Sequence, residues 1–287
     1  MVAVSAFHES EMLPSGAGHH DAAPPVDTDG LHVRGLAAAH RRRSRPVIEG
    51  VDVDVGRGEI VGVLGPNGCG KSTFLKSLCG VLRPTAGTIT ADGVDLRAVS
   101  PARRAEVVGY VPQHDDGVGR ALTVADSMSL ALDRRRLGPD EVLERVLSIA
   151  DRLGLAGMTT RRAHQLSGGQ QQRVLIGRTL AARTPYLLLD EPVSALDLRY
   201  QLETMELLAE LVRERRVGAL VVLHDLNLAT AFCDRVVVMD GGRVIAEGRP
   251  DTVVDATFVE ELYGRVADVV DVDGARYVVP ARRNGGT

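Results

Sequence analysis

The feature that most constrains the fold of this 287-residue chain is a glycine-rich turn, GPNGCGKST, at residues 65–73. The preceding run EIVGVLG predicts a buried strand, and the following KSTFLKSLCG has helical spacing that we expect to end at Gly80. Closely spaced glycines let the backbone curl until successive N–H groups point at one position. A strand, such a turn and a helix together predict one unit of an α/β sheet.

The turn also matches the pattern G-x-x-x-x-G-K-[ST], which surrounds the phosphates of a nucleotide. Backbone N–H groups and the positive end of the following helix attract such an anion. We predict that Lys71 reaches the terminal phosphates and that the Ser72 hydroxyl ligates magnesium. The predicted phosphate-binding residues are Gly65, Pro66, Asn67, Gly68, Cys69, Gly70, Lys71, Ser72 and Thr73.

A second strand pattern, YLLLDEP, ends in two acidic residues, Asp190 and Glu191. Ligands of an open α/β sheet bind at the carboxyl ends of its strands, so we expect both side chains near the glycine-rich turn. Asp190 is predicted to hold magnesium, and Glu191 to accept a proton from the water that attacks the γ-phosphate. His224, at the end of the strand in VVLHDLN, is a candidate γ-phosphate contact, although a single histidine is more often structural.

The order of patterns along the chain predicts the architecture. After Gly168, strand and helix patterns alternate, which indicates a parallel sheet with helices on its faces. Residues from about 114 to 168 have helical spacing without a convincing strand and are predicted to form a helical insertion. Other predicted strands are LHVRGLA, VIEGVDVDV and EVVGYVP, with hairpins in GTITADGVDL, MDGGRVIAEG and ADVVDVDGARYVVP.

Composition excludes several classes of protein. The net charge of −4 argues against binding nucleic acid by neutralising its phosphates. Three scattered cysteines without metal-ligand spacing fit a reducing compartment, and no apolar run approaches the roughly 18 residues of a membrane span. We therefore expect a cytoplasmic chain that needs a partner for any membrane role.

Residues 1–30 have no periodicity and predict a disordered tail, in which His19 and His20 form no convincing ligand set.

In order, the chain shows GPNGCGKST, GYVPQ, LSGGQQQR, YLLLDEP, SALD and LHD. This series resembles the nucleotide-binding subunit of ATP-binding-cassette transporters over about residues 31–250. The resemblance implies an α/β P-loop NTPase (RecA-like) core with an antiparallel β-subdomain and an inserted α-helical signature subdomain at about residues 114–168. Residues 251–287 would be a short C-terminal extension.

The resemblance also implies roles for residues outside the glycine-rich turn. Gln113 would join the core to the helical subdomain, ligate magnesium and sense the membrane partner. Asp197 would cross a dimer interface, His224 would be the switch histidine, and Glu191 the general base. The γ-phosphate of ATP held by a second subunit would contact Ser167, Gly168, Gly169 and Gln170.

His40 stands where the family usually places an aromatic residue, most often tyrosine, that stacks on adenine. An imidazole can stack in its place with a smaller ring, or Arg41 or Arg42 can stack instead. The basic run around these residues can equally be a solvated loop, as charge runs usually are.

The resemblance implies an ATPase that uses ATP and Mg²⁺ and closes as a head-to-tail homodimer. Its partners would be two transmembrane permease subunits and, indirectly, a substrate-binding protein, at the cytoplasmic face of the membrane. The segments LDLRYQLE and LHDLNLATAFCDRVVVMDGGRVIAEG resemble subunits that energise uptake of iron(III)-siderophore complexes. Haem and cobalamin importers are the alternatives.

Two further alternatives come from other classes. Cassette ATPases that act on DNA ends or ribosomes usually carry a long coiled-coil insertion or two cassettes, and this chain shows neither pattern. A module that binds ATP without hydrolysing it is opposed by the presence of Lys71, Asp190, Glu191 and His224.

Overall fold

The computed structural model describes residues 29–41, 44–113, 119, 121–132, 136–264, 267–272 and 275–281. All but two residues of the predicted N-terminal tail lie outside these ranges, as does Arg42. In chain order the described residues form β1 (Leu31–Ala38), β2 (Ile48–Val55), β3 (Ile60–Leu64), α1 (Lys71–Cys79), β4 (Ala86–Ala91), β5 (Val94–Asp95), α2 (Pro101–Val107), β6 (Val108–Val111), α3 (Val124–Ser129), α4 (Pro139–Arg152), α5 (Gly168–Ala181), β7 (Tyr186–Asp190), α6 (Leu198–Arg215), β8 (Gly218–Val222), α7 (Leu226–Phe232), β9 (Arg235–Asp240), β10 (Arg243–Gly248), α8 (Pro250–Val253), α9 (Ala256–Tyr263), β11 (Ala267–Val272) and β12 (Ala275–Pro280).

A six-stranded sheet of order β10-β9-β3-β8-β7-β6 forms the centre of the protein. Five strands run parallel, and β10 pairs with β9 in the antiparallel direction through the predicted hairpin. Every residue of β3, β7 and β8 is buried, as expected for parallel strands that are covered on both faces. The predicted α/β core is therefore confirmed.

Alternate residues of the central strands face two separate hydrophobic clusters. On β7, Leu187 and Leu189 join the cluster formed with α5 and α6. Tyr186 and Leu188 join the opposite cluster, which contains α1 and the smaller sheet. The smaller sheet is antiparallel, has the order β2-β1-β4-β5, and is the predicted β-subdomain.

The helical insertion lies between β6 and β7 and consists of α3, α4 and two short 3₁₀ helices, before α5 returns to the core. Its interior is closely packed around Gly177 of α5. A Cβ atom there would lie 2.4 Å from Met128 Cε and 3.0 Å from Leu153 Cδ1. The helices α3, α4 and α5 therefore pack as one unit.

The predicted strand EVVGYVP begins later than expected, because Glu106 and Val107 belong to the unpredicted helix α2. Ser100 caps this helix by accepting a hydrogen bond from the Arg103 N–H, and Pro101 occupies its first turn. The C-terminal extension also contains the unpredicted helices α8 and α9, before the predicted hairpin β11–β12. The three cysteines are free thiols.

One buried cation connects the helical insertion with the core. Arg173 on α5 is 4% exposed and donates from Nη1 to the Leu153 carbonyl at 2.7 Å. Its guanidinium lies 3.8 Å from the ring centroid of Tyr200 on α6. The electrons of the ring face therefore stabilise a charge that has been removed from water.

Tyr200→Ala should lower the free energy of unfolding by about 1–3 kcal/mol, because it removes this partner and its buried area. Tyr200→Phe keeps the ring and should cost less than about 1 kcal/mol. Denaturant titration measures both values. Arg199→Ala is the matched control, since its exposed guanidinium is 6.0 Å from the same ring and pairs with Glu203. Equal losses for Tyr200→Ala and the control would contradict the proposed stabilisation.

Candidate active site

The glycine-rich turn connects β3 to α1, and two of its glycines are required by close packing. Gly65 has φ 140° and Gly70 has φ 113°. A Cβ atom on Gly65 would lie 2.0 Å from the Met239 carbonyl oxygen, and one on Gly70 would lie 2.5 Å from Ile48 Cγ2. Only glycine fits both positions, so the turn can keep its curled backbone against β9 and β2.

Lys71, the first residue of α1, is held against this turn. Its side chain is 5% exposed, and Nζ donates to the carbonyl oxygens of Gly65 at 2.7 Å and Pro66 at 2.9 Å. The first turn of α1 contains no acidic residue that would oppose an anion. The ammonium group and the helix N-terminus therefore present positive charge at one place.

Asp190 lies at the end of β7, opposite α1. Its Oδ1 atom accepts from Ser72 Oγ at 3.0 Å, and the residue is 1% exposed. Burial raises the pKa of this carboxyl group, as does the neighbouring Glu191, while the Ser72 hydrogen bond opposes the rise. A hydroxyl and a carboxylate side by side are the oxygen donors that magnesium prefers.

Glu191 is held from two sides. Gln113 Nε2 donates to its Oε2 atom at 2.7 Å, and His224 Nε2 lies 2.6 Å from its Oε1 atom. Its backbone has φ 51°, in the left-handed region that is unfavourable for a residue with a side chain. Strained backbone of this kind persists where surrounding contacts fix it, and here Gln113 and His224, which follow the neighbouring strands β6 and β8, supply those contacts.

These groups line one open cavity of about 440 Å³. It brings together residues that the sequence predicted from five separate segments. The predicted residues on its wall are His40, Asn67, Gly68, Gly70, Lys71, Ser72, Thr73, Gln113, Glu191 and His224. Asp190 accepts a hydrogen bond from Ser72, and the Lys71 ammonium contacts the Gly65 and Pro66 carbonyls and Cys69 Sγ.

The segment LSGGQ does not line this cavity. Ser167 caps α5: its Oγ atom accepts from the Gln170 N–H at 3.3 Å, and Gln170 Oε1 accepts from the Ser167 N–H at 3.0 Å. Gly168 follows and is exposed, and a Cβ atom added to it would meet nothing within 4 Å beyond its own helix turn. A Cβ atom on Gly169 would lie 3.2 Å from Leu196, so this helix end lies beside the segment containing Asp197.

Asp197 is likewise an exposed helix cap, accepting from the Tyr200 N–H at 3.1 Å. The structure therefore places two capped helix N-termini, those of α5 and α6, side by side on the surface. Both are separated from the cavity that contains the glycine-rich turn.

Two tyrosines near the site were not predicted. Tyr110 Oη donates to Asp190 Oδ2 at 3.4 Å, because β6 pairs with β7 and places Tyr110 beside Leu188. Burial raises the pKa of Tyr263 on α9, and its contact with the Gly65 backbone opposes that rise. The contact of Tyr110 with Asp190 can be inferred only from the strand order, and the contact of Tyr263 with Gly65 has no signal in the sequence.

The parallel sheet, the glycine-rich turn and the strand-end carboxylates define a P-loop NTPase. The ABC transporter family model matches residues 48–194. The Nocardia farcinica hemin import ATP-binding protein is 39% identical over 262 residues, which cover 88% of this chain and 89% of that protein. A bacterial ABC transporter cassette solved as a dimer is 29% identical with a TM-score of 0.71, covering 77% of this chain and 98% of that one.

Two further relatives are named for other transport processes. The Halobacterium salinarum cobalamin import ATP-binding protein is 36% identical over 241 residues, covering 82% of this chain and 60% of that protein. The Acidithiobacillus ferridurans lipopolysaccharide export ATP-binding protein is 35% identical over 234 residues, covering 81% of this chain and 95% of that protein.

The chain belongs to the ABC transporter family, as an ATP-binding subunit whose ATP hydrolysis is coupled to transport. Among the residues described, no helix has both the length and the apolar composition needed to cross a bilayer.

Asp190→Asn should raise the melting temperature of the nucleotide-free protein at pH 7. The pKa of Asp190 is raised in the folded state, so the native protein holds this proton more tightly than the unfolded chain. The corresponding stability is present below the ordinary pKa and is lost as pH rises through the raised pKa. Asparagine is neutral throughout and avoids that loss.

The same variant should lose the additional stabilisation that MgATP gives the parental protein, because an amide is a weaker magnesium ligand than a carboxylate. Thermal denaturation with and without MgATP measures both effects. Asp255→Asn is the control, since Asn caps a helix as well as Asp, and this exposed residue caps α9 and does not line the cavity. A lower melting temperature for nucleotide-free Asp190→Asn would contradict the assignment of a buried charge penalty.

Proposed function

We propose that this protein is the ATP-hydrolysing subunit of an importer for iron(III)-siderophore complexes, bound peripherally to the cytoplasmic face of the membrane. The observation that carries the catalytic part is Glu191, fixed between Gln113 and His224 on the wall of the cavity. A carboxylate oriented from two sides is suited to accept a proton at a defined position.

In the proposed mechanism, the triphosphate of ATP binds the backbone N–H groups of the glycine-rich turn. Lys71 exchanges its two carbonyl partners for phosphate oxygens, so the buried ammonium group stays hydrogen-bonded. Magnesium, held by Ser72, Asp190 and Gln113, would neutralise charge on the β- and γ-phosphates. We propose that His40, exposed on the same cavity wall, stacks on adenine.

Glu191 would take the proton of the attacking water, and His224 would contact the γ-phosphate. Both side chains already meet at 2.6 Å in the structure. Entry of a nucleotide would replace this mutual contact: Glu191 would contact the water and His224 the phosphate. Both groups would then act from the same cavity wall.

We propose that a second copy of the chain completes the site. The α5 N-terminus carries partial positive charge, and Gly168 leaves the approach to it open. Its exposure beside Asp197 gives one continuous surface for a partner's γ-phosphate and its surrounding loop. The dimeric form of a related cassette supports a homodimer, for which we propose a head-to-tail arrangement.

Two permease subunits are the proposed membrane partners, with a substrate-binding protein acting through them. A groove of about 470 Å³ between α2 and the helical insertion supports this part of the proposal. It is lined by the half-exposed Leu130 and by the basic Arg136, among others. We propose that the ATPase domain spans residues 31–250, with residues 251–287 as its extension.

The proposed cargo is inferred from the relatives of the chain. Relatives are named for hemin import, cobalamin import and lipopolysaccharide export. Hemin and cobalamin are metal chelates, as an iron(III)-siderophore complex is, and this shared chemistry favours import of a metal chelate. Haem and cobalamin remain the alternative cargoes.

Glu191→Gln should bind MgATP, slow its hydrolysis by about 100-fold or more, and accumulate as a stable dimer. Light scattering coupled to size-exclusion chromatography, with and without MgATP, measures the dimer. The matched control adds Gly168→Asp, which places a carboxylate on the exposed α5 N-terminus without a steric clash inside the monomer. That double variant should bind nucleotide as a monomer. Hydrolysis by Glu191→Gln at the parental rate would remove Glu191 from its proposed role.

Deletion of the gene from the source organism should prevent growth on iron(III)-siderophore complexes as the sole iron source. Complementation with the parental gene should restore growth, and complementation with Lys71→Ala should not. Growth on haem iron and cobalamin-dependent growth serve as controls and should persist. A defect confined to haem or to cobalamin would replace the proposed cargo with that alternative.

A further inference from the structure

The C-terminal extension packs on the core through helix α7. Strand β12 lies along α7, and Phe258, Val269 and Val278 pack against the larger hydrophobic cluster. Within the hairpin, Val278 is paired with Val269 across β11 and β12. The extension is therefore folded onto the helix that follows His224 in the chain.

Among the described residues, the side chain of Asn227 joins α7 to β12 by hydrogen bonds. Asn227 Nδ2 donates to the Val278 carbonyl oxygen at 3.1 Å, and the Val278 N–H donates to Asn227 Oδ1 at 2.8 Å. The amide uses both its donor and its acceptor on one residue's backbone, as a neighbouring strand would. Such a pair fixes the orientation of the side chain as well as its distance.

Asn227 belongs to the first turn of α7. Its backbone N–H donates to Asp225 Oδ1 at 2.8 Å, and the Leu228 N–H donates to the same atom at 3.3 Å. Asp225 directly follows His224, whose side chain is 41% exposed and reaches Glu191 Oε1. Only three positions along the chain therefore separate the contact with β12 from the contact with Glu191.

The position of this turn depends on outside contacts. Helix α7 has seven residues, fewer than a helix needs to be stable alone. An open cavity of about 480 Å³ lies beside Asn227 and is lined by Thr230, Arg276 and Tyr277, among others. Leu226, Leu228 and Ala229 are buried in the core on one side of α7, and the Asn227 pair fixes the side that faces β12.

The far side of the hairpin is anchored separately. Arg276 Nη1 donates to the Asp251 carbonyl oxygen at 2.6 Å, which ties β12 to α8. Strand β12 can thus hold α7 in place instead of moving with it.

We propose that Asn227 is a positioning residue: its pair with the Val278 backbone holds the first turn of α7 and thereby keeps His224 where it meets Glu191. This inference rests on the proposed roles of His224 and Glu191. The C-terminal extension would then contribute to ATP hydrolysis, although none of its described residues lines the cavity that contains the glycine-rich turn.

The test uses the full-length chain with Asn227→Ala and Asn227→Asp. Alanine removes both hydrogen bonds, and aspartate places a carboxylate against the Val278 carbonyl oxygen. Both variants should lower kcat for ATP hydrolysis by about tenfold, because a misplaced group loses part of its effect. The KM for ATP and the stoichiometry of MgATP binding should stay at parental values, since the glycine-rich turn is untouched.

Thr230→Val is the matched control. Thr230 lies one turn further along α7 and lines the same cavity, but its hydroxyl donates only to the Leu226 and Asn227 carbonyls of its own helix. It should keep the parental kcat. A parental kcat in both Asn227 variants would overturn the inference, as would losses of kcat and binding stoichiometry in equal proportion, which indicate a general structural role.

His224→Ala in the same assay separates this inference from the proposed function. If His224→Ala hydrolyses ATP at the parental rate, the role proposed for His224 fails and the inference fails with it. If His224→Ala is impaired while the Asn227 variants are normal, only the inference is overturned.

Discussion

The site depends on accommodating two adjacent carboxylates at the end of a buried strand. Asp190 has almost no contact with solvent, so burial raises its pKa, and the neighbouring Glu191 raises it further. Hydrogen bonds from Ser72 and Tyr110 offset part of this cost on Asp190, while Gln113 and His224 hold the Glu191 side chain. A magnesium ion would offset more, which explains why a nucleotide site contains groups that destabilise the empty protein.

The distribution of positive charge complements this pair. Lys71 is already desolvated and bonded to loop carbonyls, so a phosphate can replace those partners without first removing water from the ammonium group. The α5 N-terminus is the reverse case, since it is exposed and capped by its own Ser167 and Gln170 side chains. The candidate anion position at Lys71 is thus built into the monomer, whereas the one proposed at α5 lies on its surface.

Local signals explain what could be predicted from the sequence. Strong periodicity or spacing marks the glycine-rich turn, the buried strands and α6. The carboxyl ends of parallel strands lie at one edge of a sheet, and this rule predicts that Asp190 lies near Ser72. Helix α2 cannot be predicted from its pattern, because its last residues run directly into β6 and read as part of that strand. The contact of Asn227 with Val278 spans 51 positions and leaves no local pattern. The assignment of LSGGQ and SALD to a dimer interface came from family resemblance, since neither segment alone indicates a second molecule.

The order of strands in the central sheet has a consequence for synthesis on the ribosome. Strand β3 carries the glycine-rich turn, yet both its neighbours come much later, since Ile60 pairs with Ala219 and Val61 with Arg235. At typical elongation rates, roughly 10–30 s pass between translation of β3 and translation of the strands that flank it. During that interval an apolar strand has no partner within its own sheet. The nascent chain must shelter it, through the early β-subdomain, the ribosome surface or a chaperone, until nearly the whole cassette has been made.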